Sequence, residues 1–330
     1  MKVAVLDDWF DTLRHLPCFQ HLDGFDVDIF TDHVTETPAL VERLLPYDAI
    51  TLFRERTAIT AELVEQLPQL KLISQRSVYP HIDIDACTRN GILVCSNLHA
   101  DTPAFAAAEH TWALIMAGMR DLPAQMASLQ QGGWQIGVGK TLHGRVLGLY
   151  GYGRIAKQVS QYAKAFGMKV VWWGSDEGRA RAAADGEIIA ASRHAFFARS
   201  DVVSIHVRMK PETKGIITAK DFAVMRKDGL FVNTSRAGLI EEGALLAGLE
   251  KGHPGKAGID VFDQEPITWP DDPLACHPNI IATPHIGFVT EDELEVQFND
   301  IFEQVAAFHN EAPIHMINPE ALVKICVETA

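Results

Sequence analysis

The sequence predicts an α/β protein of two domains, each built on a parallel β-sheet. Two observations support this prediction. Short apolar runs alternate with helical patterns from end to end, which is typical of parallel strands joined by helices. The chain is also 330 residues long, which is too long for one ordinary hydrophobic core.

The first set of apolar runs predicts a small, flavodoxin-like sheet domain. Its strands are predicted at Val3–Asp7, Val27–Phe30, Ala49–Phe53, Leu70–Ser74 and Ile92–Ser96. A helix is predicted at Thr60–Leu67. Near the other end of the chain, Asp292–His309 carries apolar residues at helical spacing, and its simplest role is to pack in this same core. We therefore assign residues 1–100 and 292–330 to a substrate domain.

A long helix is predicted where the two domains join. Its range is Pro103–Arg120, and its apolar spacing is given by Ala108, Trp112, Ile115 and Met119. We expect this helix to be buried and to cross between the domains. Pro123 then bounds a looser, glycine-containing segment, and we expect a dimerisation arm at 121–144.

The second set of apolar runs, within residues 101–291, predicts a doubly wound sheet. Its strands are predicted at Val146–Tyr150, Val170–Trp173, Glu187–Ala190, Asp201–Val207, Leu230–Thr234, Ala257–Val261 and Asn279–Thr283. In such sheets, ligands bind at the carboxyl ends of the strands.

A glycine turn lies between the first strand of this set and a helix predicted at Lys157–Phe166. Gly151 permits the tight turn, and Gly153 has no Cβ to block a pyrophosphate at the helix N-terminus. An ordinary structural turn is the alternative, because glycine pairs are common in loops and the third glycine position is Ala156. The next strand follows at βαβ spacing, which favours a Rossmann dinucleotide-binding domain. The cofactor contacts predicted here are Gly151, Tyr152, Gly153, Arg154 and Ile155.

The composition limits the kinds of partner that we expect the protein to bind and the cellular compartment in which we expect it. The chain has 29 basic and 43 acidic residues, and no Lys/Arg block, which argues against nucleic acid or an anionic membrane as partner. The 5 cysteines form neither a C-x-x-C pair nor a zinc-ligand spacing, so we expect reduced thiols and no metal. Met1 leads directly into a strand, and no apolar run is long enough to span a bilayer. These features predict a cytoplasmic protein that binds a small molecule.

Functional side chains follow three predicted strands of the second domain. Hydride transfer to a keto acid needs a cation for the carboxylate and carbonyl, and an acid with a pKa near neutrality. Arg236 and His285 meet these needs. A carboxylate such as Glu265 on the far imidazole nitrogen would fix the tautomer and raise the histidine pKa.

Each of these side chains also has an ordinary structural explanation. Most histidines are structural or lie at the surface, an arginine after a strand is usually solvated or salt-bridged, and Glu265-Pro266 fits a simple turn. A catalytic role is favoured because residues suited to three complementary roles follow successive strands downstream of the glycine turn.

With these motifs in order, nearly the whole chain resembles the D-isomer-specific 2-hydroxyacid dehydrogenases. This family includes phosphoglycerate dehydrogenases, glyoxylate/hydroxypyruvate reductases and formate dehydrogenases. The resemblance is carried by residues 145–156, 233–241, 260–266 and 283–287. It implies hydride transfer between NAD or NADP and a 2-hydroxy or 2-keto acid. Arg236 would bind the substrate carboxylate and carbonyl, and His285, paired with Glu265, would be the acid/base.

The resemblance also implies further contacts and an assembly. Asp260 would lie near the nicotinamide carboxamide, and His206 and Val207 near the nicotinamide. The other cofactor contacts would be Gly174, Ser175, Thr234, Ser235 and Gly287. Residues 108–111 would open the interdomain helix. Closure of two domains over the substrate and a homodimer are also implied.

The chain departs from the family in the first domain. The family usually has a glycine-bearing loop that holds the substrate carboxylate, whereas residues 76–83 here contain no glycine. We therefore expect contacts made partly by side chains, and these are Arg54, Arg76, Ser77 and Val78. The arginines favour a substrate with a second anionic group, although Arg56 nearby is equally well explained as a solvated charge.

A second departure concerns the end of the second strand in the dinucleotide fold. Selection of NAD usually involves an acidic residue there, which binds the ribose 2′-OH, but this chain has Gly174-Ser175. Arg179 or Arg181 would suit a 2′-phosphate, whereas Asp176-Glu177 would suit NAD through a shifted loop. The sequence leaves NAD and NADP open.

A second class of function also stays open. The same scaffold serves co-regulators that bind a dinucleotide and recruit protein partners, and intact Arg236, Glu265 and His285 fit both classes. The lack of long disordered tails favours a metabolic enzyme. A formate dehydrogenase is less favoured, because formate needs no proton donor and that subgroup normally has Gln where this chain has Glu265.

Overall fold

The computed structural model describes residues 1–98, 105–267 and 272–322. Two compact units divide the chain. The first is Met1–Thr102 with Thr290–Ala330, and the second is Pro103–Val289. The start of the helix predicted at Pro103 and the cysteine at position 326 lie outside the described residues.

The sheet of the first unit is parallel throughout. Its strands are β1 Lys2–Val5, β2 Asp26–Ile29, β3 Ala49–Thr51, β4 Leu72–Arg76 and β5 Leu93–Asn97. The spatial order is β2-β1-β3-β4-β5. This is the flavodoxin-like order, with its switch point between β1 and β3. Each strand predicted for the first domain overlaps one of these.

Short helices connect the strands of this unit. They are α1 Thr37–Leu44, α2 Ala61–Val64 and α3 Ile84–Arg89. Thr60 caps α2 by accepting from the Leu63 N–H at 3.3 Å. Helix α2 is shorter than predicted, because the N–H groups of Gln66 and Leu67 bond three residues back and form a tighter turn.

The second unit contains a larger parallel sheet with helices between its strands. The helices are α4 Phe105–Arg120, α5 Leu122–Gln130, α6 Arg154–Ala165, α7 Asp176–Ala184, α8 Arg193–Arg199, α9 Ala219–Val224 and α10 Ala244–Glu250. The strands are β6 Val146–Tyr150, β7 Lys169–Trp173, β8 Val202–Ile205, β9 Leu230–Asn233, β10 Lys256–Ile259 and β11 Ile280–Ala282. The order β11-β10-β9-β8-β6-β7 reverses at β6, as in a doubly wound sheet.

One sequence prediction in this unit is wrong, and another is wrong in part. The strand predicted at Glu187–Ala190 is a single bridge between Trp172 and Ile189, because Ser192 then caps α8 and turns the chain away. The segment after Pro123, predicted to be loose throughout, is helical as far as Gln130 and irregular over residues 131–145. Proline is tolerated in the first turn of a helix, which is where Pro123 stands in α5.

Helix α4 lies very close to the sheet of its unit. Its buried side chains include Ala108, Thr111, Leu114, Ile115 and Met119. A Cβ on Gly118 would lie 2.8 Å from a methyl carbon of Leu230, and one on Gly258 would lie 3.3 Å from Leu114 Cβ. Glycines on the helix and on β10 therefore permit the close approach.

The last long helix, α11 Glu291–His309, belongs to the first unit. Thr290 caps it by accepting from the Glu293 N–H at 3.2 Å. The hydroxyl of Ser74 in β4 donates to the Ile301 carbonyl at 2.7 Å. Its buried apolar side chains are Leu294, Phe298, Ile301, Phe302 and Val305, as the helical spacing predicts.

Candidate functional site

Gly151 forms the turn that follows β6. Its φ is +104°, and a Cβ there would lie 2.4 Å from the carbonyl oxygen of His206. Its N–H donates to the carbonyl of Trp173 at 2.8 Å. Only glycine satisfies both the positive φ and this close approach. The ends of β6, β7 and β8 therefore meet at Gly151.

Gly153 is the N-cap of α6, and its surroundings differ from those of Gly151. A Cβ built on it would have no neighbouring atom within 4 Å. The space beside the first helical residues, Arg154 and Ile155, is therefore open, and a helix N-terminus offers unpaired N–H groups there. This cradle fits the pyrophosphate of a dinucleotide.

Tyr152 and Ala156 face the core instead. The Tyr152 hydroxyl bonds to the Asp185 carboxylate, and its ring lies 4.7 Å from that of Trp172. Ala156, at the third glycine position of the motif, is fully buried. Tyr152 thus presents only its backbone to the open side of the turn.

At the end of β7, Gly174 packs against the glycine turn. Its φ is +150°, and a Cβ there would lie 3.3 Å from Gly151 N. The backbone and the space both disfavour a side chain, which gives a physical reason for the missing acidic residue. Ser175 caps α7, accepting from the Gly178 N–H at 3.2 Å.

Arg179 lies beside Gly174. Its Nη1 donates to the Gly174 carbonyl at 2.7 Å, and its guanidinium carbon lies 4.3 Å from the centre of the Trp173 ring. Its other amino group pairs with Asp176. Arg181, by contrast, is mostly exposed and lies 3.7 Å from Glu177. Arg179 is therefore the arginine held at the end of β7.

His206 is buried just beyond the carboxyl end of β8. Its Nε2 lies 2.9 Å from Ser204 Oγ, and Nδ1 has no hydrogen-bond partner among the described residues. Burial lowers the pKa of His206 to about 4, so the ring is neutral at pH 7. The neighbouring Val207 has a methyl carbon 2.8 Å from the Cβ position of Gly151. Both residues thus border the glycine turn.

The arginine loop, residues 233–236, follows β9. Asn233 Nδ2 donates to the Arg236 carbonyl at 3.0 Å, and Asn233 Oδ1 accepts from the Ser235 N–H at 2.9 Å. The Ser235 hydroxyl donates to the Ile205 carbonyl at 2.8 Å, which ties the loop to β8. Sequence reasoning assigned no role to Asn233, although an asparagine at a strand end is a known turn signal.

The histidine loop, residues 283–287, follows β11. His285 has a φ of +52°, which is uncommon for a residue other than glycine. Its Nδ1 lies 2.5 Å from Glu265 Oε2. Glu265 Oε1 in turn accepts from the Phe262 N–H at 2.9 Å. This is the contact that the sequence predicts, and it leaves the His285 Nε2 on the far side of the ring.

Asp260 is 1% exposed, and its carboxylate holds the histidine loop. Its Oδ1 accepts from the Thr283 hydroxyl at 2.6 Å and the Ile286 N–H at 2.9 Å, and Oδ2 accepts from the Gly287 N–H at 2.8 Å. Burial by itself raises the pKa of Asp260. Hydrogen bonds from His110 and Thr283, with the charge of His110, outweigh burial and hold the pKa below its ordinary value.

Two neighbouring residues of α4 reach these loops, and sequence reasoning did not assign them to the site. His110 Nε2 lies 2.9 Å from Thr283 Oγ1 and 3.2 Å from Asp260 Oδ1. Thr111 Oγ1 lies 2.6 Å from Thr234 Oγ1. The signals in the sequence are a run of three polar residues, Glu109, His110 and Thr111, after the alanines of the helix start, and the family resemblance of residues 108–111.

In the first unit, the predicted arginines have different surroundings. Arg54 follows β3 with a φ of +62°, and its Nη1 lies 3.5 Å from Gln297 Oε1. Arg76 is 7% exposed and forms an ion pair with Asp300, so its charge is matched within the unit. Arg56 Nη1 donates to the Asp7 carbonyl at 2.7 Å.

Ser77 and Val78 follow β4 at the same edge of this sheet. Ser77 has a φ of +77°, and its carbonyl accepts from Gln75 Nε2 at 2.8 Å and from the Ser96 hydroxyl at 2.7 Å. The side chains of both residues are exposed. Both predicted residues therefore stand at an open strand end.

Residues 112–287, more than half of the chain, match the family model for the NAD binding domain of D-isomer specific 2-hydroxyacid dehydrogenases. The chain belongs to this dehydrogenase family. The matched range contains the glycine turn and both loops, so the predicted nicotinamide dinucleotide cofactor is confirmed as a class.

Named relatives belong to the same family. The D-3-phosphoglycerate dehydrogenase of Bacillus subtilis is 34% identical over 290 residues, which are 86% of this chain and 54% of that protein. The glyoxylate reductase of Aeropyrum pernix is 30% identical over 314 residues, 90% of this chain and 91% of that protein. The chain spans about half the length of the phosphoglycerate dehydrogenases that it matches.

A solved structure is similar along almost the whole chain. It is the phosphoglycerate oxidoreductase from Vibrio cholerae O395, with 42% identity and a TM-score of 0.89, covering 94% of this chain and 100% of that one. The α/β fold with its two parallel sheets is therefore the fold of this dehydrogenase family.

The described residues contain neither a candidate membrane span nor a candidate metal site. Within residues 1–98, 105–267 and 272–322, no helix is long and apolar enough to cross a membrane. Over the same ranges, the side chains of His, Cys, Asp and Glu form no group of three or more that would hold a metal ion.

Proposed function

We propose that this protein is an NAD(P)-dependent oxidoreductase that interconverts a D-2-hydroxy acid and the corresponding 2-keto acid. The observation that carries the proposal is the 2.5 Å contact between His285 Nδ1 and Glu265 Oε2. Because Glu265 engages one ring nitrogen, Nε2 is left to exchange a proton with the substrate oxygen. His285 then acts as the acid in reduction and as the base in oxidation.

Arg236 is proposed to bind the substrate carboxylate and to polarise its carbonyl. A guanidinium matches a carboxylate in a bidentate geometry, and its charge stabilises the alkoxide that develops on the carbonyl oxygen. The Asn233 side chain holds the Arg236 backbone, and Arg236 Nη1 donates to the Ser235 carbonyl at 2.8 Å. These bonds support a fixed position for the guanidinium.

The residues around the glycine turn are proposed to hold the cofactor, which supplies or accepts the hydride when bound. Those proposed for the pyrophosphate and adenosine end are Gly151, Tyr152 (through its backbone), Gly153, Arg154, Ile155, Gly174 and Ser175. Those proposed for the nicotinamide end are His206, Val207, Thr234, Ser235 and Gly287. Asp260 is proposed to lie near the nicotinamide carboxamide, and its carboxylate also holds the histidine loop in place.

We expect the enzyme to use NADPH as well as NADH. Gly174 places no carboxylate at the end of β7 to repel a 2′-phosphate, and the guanidinium of Arg179, which also pairs with Asp176, lies beside it. A preference for NADH above about a hundredfold in kcat/KM, roughly 3 kcal/mol, would contradict this expectation.

The first unit is proposed as the substrate domain. Arg54, Ser77 and Val78 stand at the carboxyl ends of its strands, where ligands of open α/β sheets bind. Arg54 and Arg76 are the proposed contacts for a second anionic group of the substrate, and Arg76 also forms an ion pair with Asp300. Relatives named as phosphoglycerate dehydrogenases support such a group.

Steady-state reduction of a panel of 2-keto acids, with NADH and with NADPH, tests the proposal. We expect turnover with at least one member, and a higher kcat/KM for members with a second anionic group. Equal rates for anionic and neutral side groups would remove the role proposed for Arg54. No turnover across the panel, together with specific binding of a protein partner, would instead favour the co-regulator class.

We also propose a cytoplasmic homodimer that uses residues 121–144 as its contact arm. Large apolar side chains are exposed there: Met126 is 60%, Trp134 is 74% and Val138 is 93% exposed. Such a concentration of exposed apolar surface is typical of an interaction site. A second copy of the chain is the proposed occupant, and its test is given in the Discussion.

A further inference from the structure

Helix α4 touches both loops of the candidate site through adjacent residues. His110 contacts the histidine loop at Thr283, and Thr111 contacts the arginine loop at Thr234. Consecutive helical residues diverge by about a quarter turn, so this pair reaches two neighbouring strand ends from one rigid backbone.

The direction of the bond from Thr111 follows from its other contact. The Thr111 hydroxyl donates its single hydrogen to the Ala107 carbonyl at 2.7 Å. At the 2.6 Å contact with Thr234, Thr111 is therefore the acceptor and Thr234 is the donor. Thr111 is completely buried and Thr234 is partly buried. The bond fixes the residue two positions before Arg236.

The direction of the hydrogen bond between His110 and Thr283 follows in the same way. The Thr283 hydroxyl gives its hydrogen to Asp260 Oδ1, its nearest acceptor, at 2.6 Å. Its oxygen then accepts from His110 Nε2, which lies 2.9 Å away and carries a hydrogen, and which also lies 3.2 Å from Asp260 Oδ1. His110, Thr283 and Asp260 thus form an ordered chain that ends on the N–H groups of Ile286 and Gly287.

Packing around these three hydrogen-bonded residues leaves little freedom for the histidine loop. A Cβ on Gly287 would lie 2.9 Å from Asp260 Oδ2 and 3.6 Å from His110 Cδ2. Glycine at position 287, two residues from His285, therefore lets the histidine loop approach Asp260 and His110 closely. The glycine contacts at Gly118 and Gly258 hold α4 against the same sheet.

We propose that His110 and Thr111 are positioning residues, and that α4 fixes the separation between the proton donor His285 and the substrate-binding Arg236. This inference rests on the roles proposed for those two residues. The expected consequences differ: loss of the His110 bond displaces the proton donor, and loss of the Thr111 bond displaces the carboxylate site.

The test compares His110→Leu and Thr111→Val with two variants that keep a hydrogen-bonding group, His110→Gln and Thr111→Ser. A matched control on the same helix is Ile115→Val, whose side chain is fully buried in the core. We expect His110→Leu to lower kcat by about 10- to 100-fold, since misplacement of a reacting group by ~1 Å costs this much. We expect Thr111→Val to raise the KM for the keto acid by about tenfold, with a smaller change in kcat.

Two further measurements separate positioning from simple loss of stability. The Gln and Ser variants should recover most of the lost activity, and Ile115→Val should lower the Tm without changing kcat or KM by more than about twofold. Thr283→Val cuts the same link from the other side and replaces His110→Leu if that variant does not fold. Equal kinetic effects in the control and in the test variants would overturn the inference.

A readout that needs no turnover separates this inference from the proposed function. The imidazole resonances of His285, followed by NMR, should shift in His110→Leu or Thr283→Val and stay unchanged in Ile115→Val. Unchanged resonances in all variants would overturn the positioning role, even with an active wild type. An inactive wild type with shifted resonances would reject the proposed reaction and keep the positioning role.

Discussion

At the scale of single residues, both the side chain and the backbone of His285 are held in place. Its side chain is bound by Glu265, and its backbone, with a φ of +52°, is fixed because Asp260 accepts hydrogen bonds from Thr283, Ile286 and Gly287 around it. A side chain held in this way loses little conformational freedom when a substrate binds, which lowers the entropic cost of catalysis.

Substitution of His285 by asparagine tests its proposed role in proton transfer. We expect His285→Asn to lower kcat by about 10³-fold, within the usual contribution of a general acid or base. The NADH dissociation constant should stay within about threefold, because the glycine turn is untouched. His194→Asn, an exposed histidine in the same unit, serves as the control. Wild-type turnover in purified His285→Asn would refute the role.

The buried His206 makes stability depend on pH. Its pKa is about 4 in the folded protein because of burial, against about 6.5 in an unfolded chain. The unfolded state therefore binds more protons between these values, so the free energy of unfolding is lost as the pH falls through this window. The full loss is on the order of 3 kcal/mol.

Replacing His206 by glutamine removes this titration. We expect His206→Gln to lose less stability than the wild type between pH 7 and pH 4.5, whatever its stability at pH 7. Urea unfolding at several pH values measures the difference. Parallel pH profiles for the two proteins would contradict the neutral, buried state of His206.

The identities of the site residues can be predicted from the sequence, but the bonds that hold these residues in place cannot. Arg236, Glu265 and His285 stand at the ends of apolar runs, and parallel strands bring such ends to one edge. The positive φ of His285 and the links from His110 and Thr111 depend on bonds that form only when β9, β10, β11 and α4 are assembled. Nothing local in the sequence encodes them.

At the scale of structural elements, the glycine turn uses its two glycines for different reasons. Gly151 is required by the backbone, since its φ is +104° and a Cβ would meet a carbonyl at 2.4 Å. Gly153 has open space around it, so its small size matters only for a ligand.

The matched pair of alanine variants separates these reasons. We expect Gly151→Ala to lower the free energy of unfolding by about 1–3 kcal/mol or more, because of strain and the clash. Gly153→Ala should keep the wild-type Tm and raise the NADH dissociation constant by about tenfold, or 1.4 kcal/mol. Thermal unfolding and NADH fluorescence titration measure the two effects. The reverse pattern would show that the turn is not a dinucleotide cradle.

Helices and strands can be predicted from the sequence where an apolar pattern extends over many residues. They are less predictable where a few residues determine the local structure. The strand β6 and the helix α11 follow their patterns closely. Glu187–Ala190 has the composition of a strand but makes one bridge, because the cap at Ser192 redirects the chain. The α5 helix was missed because Pro123 is a helix breaker in most positions and acceptable only in the first turn.

At the scale of the whole molecule, each of the two units has its own core and its own parallel sheet. The sequence predicts this division from chain length and from the two sets of apolar runs. It does not predict that the exposed apolar side chains gather on α5 and the segment after it, since exposure depends on packing in the folded unit.

Charge introduced on this surface tests the proposed dimer. We expect the wild type to sediment as a dimer at micromolar concentration, and the double variant Met126→Asp, Trp134→Asp to sediment as a monomer, because buried charges without partners are costly. Ile188→Asp, at an apolar residue that is 63% exposed elsewhere, is the control and should remain a dimer. A monomeric wild type, or a dimeric double variant, would contradict the proposed contact arm.

The contact between Gly151 and Gly174 limits how cofactor preference can be engineered in this chain. A carboxylate restored at position 174 would need a φ of +150° and would press on the backbone of the glycine turn. A switch toward strict NAD use is therefore not available as a single exchange at the end of β7. A carboxylate has to be placed one residue further along, at Ser175, where the backbone accepts a side chain and where the existing carboxylate of Asp176 is adjacent.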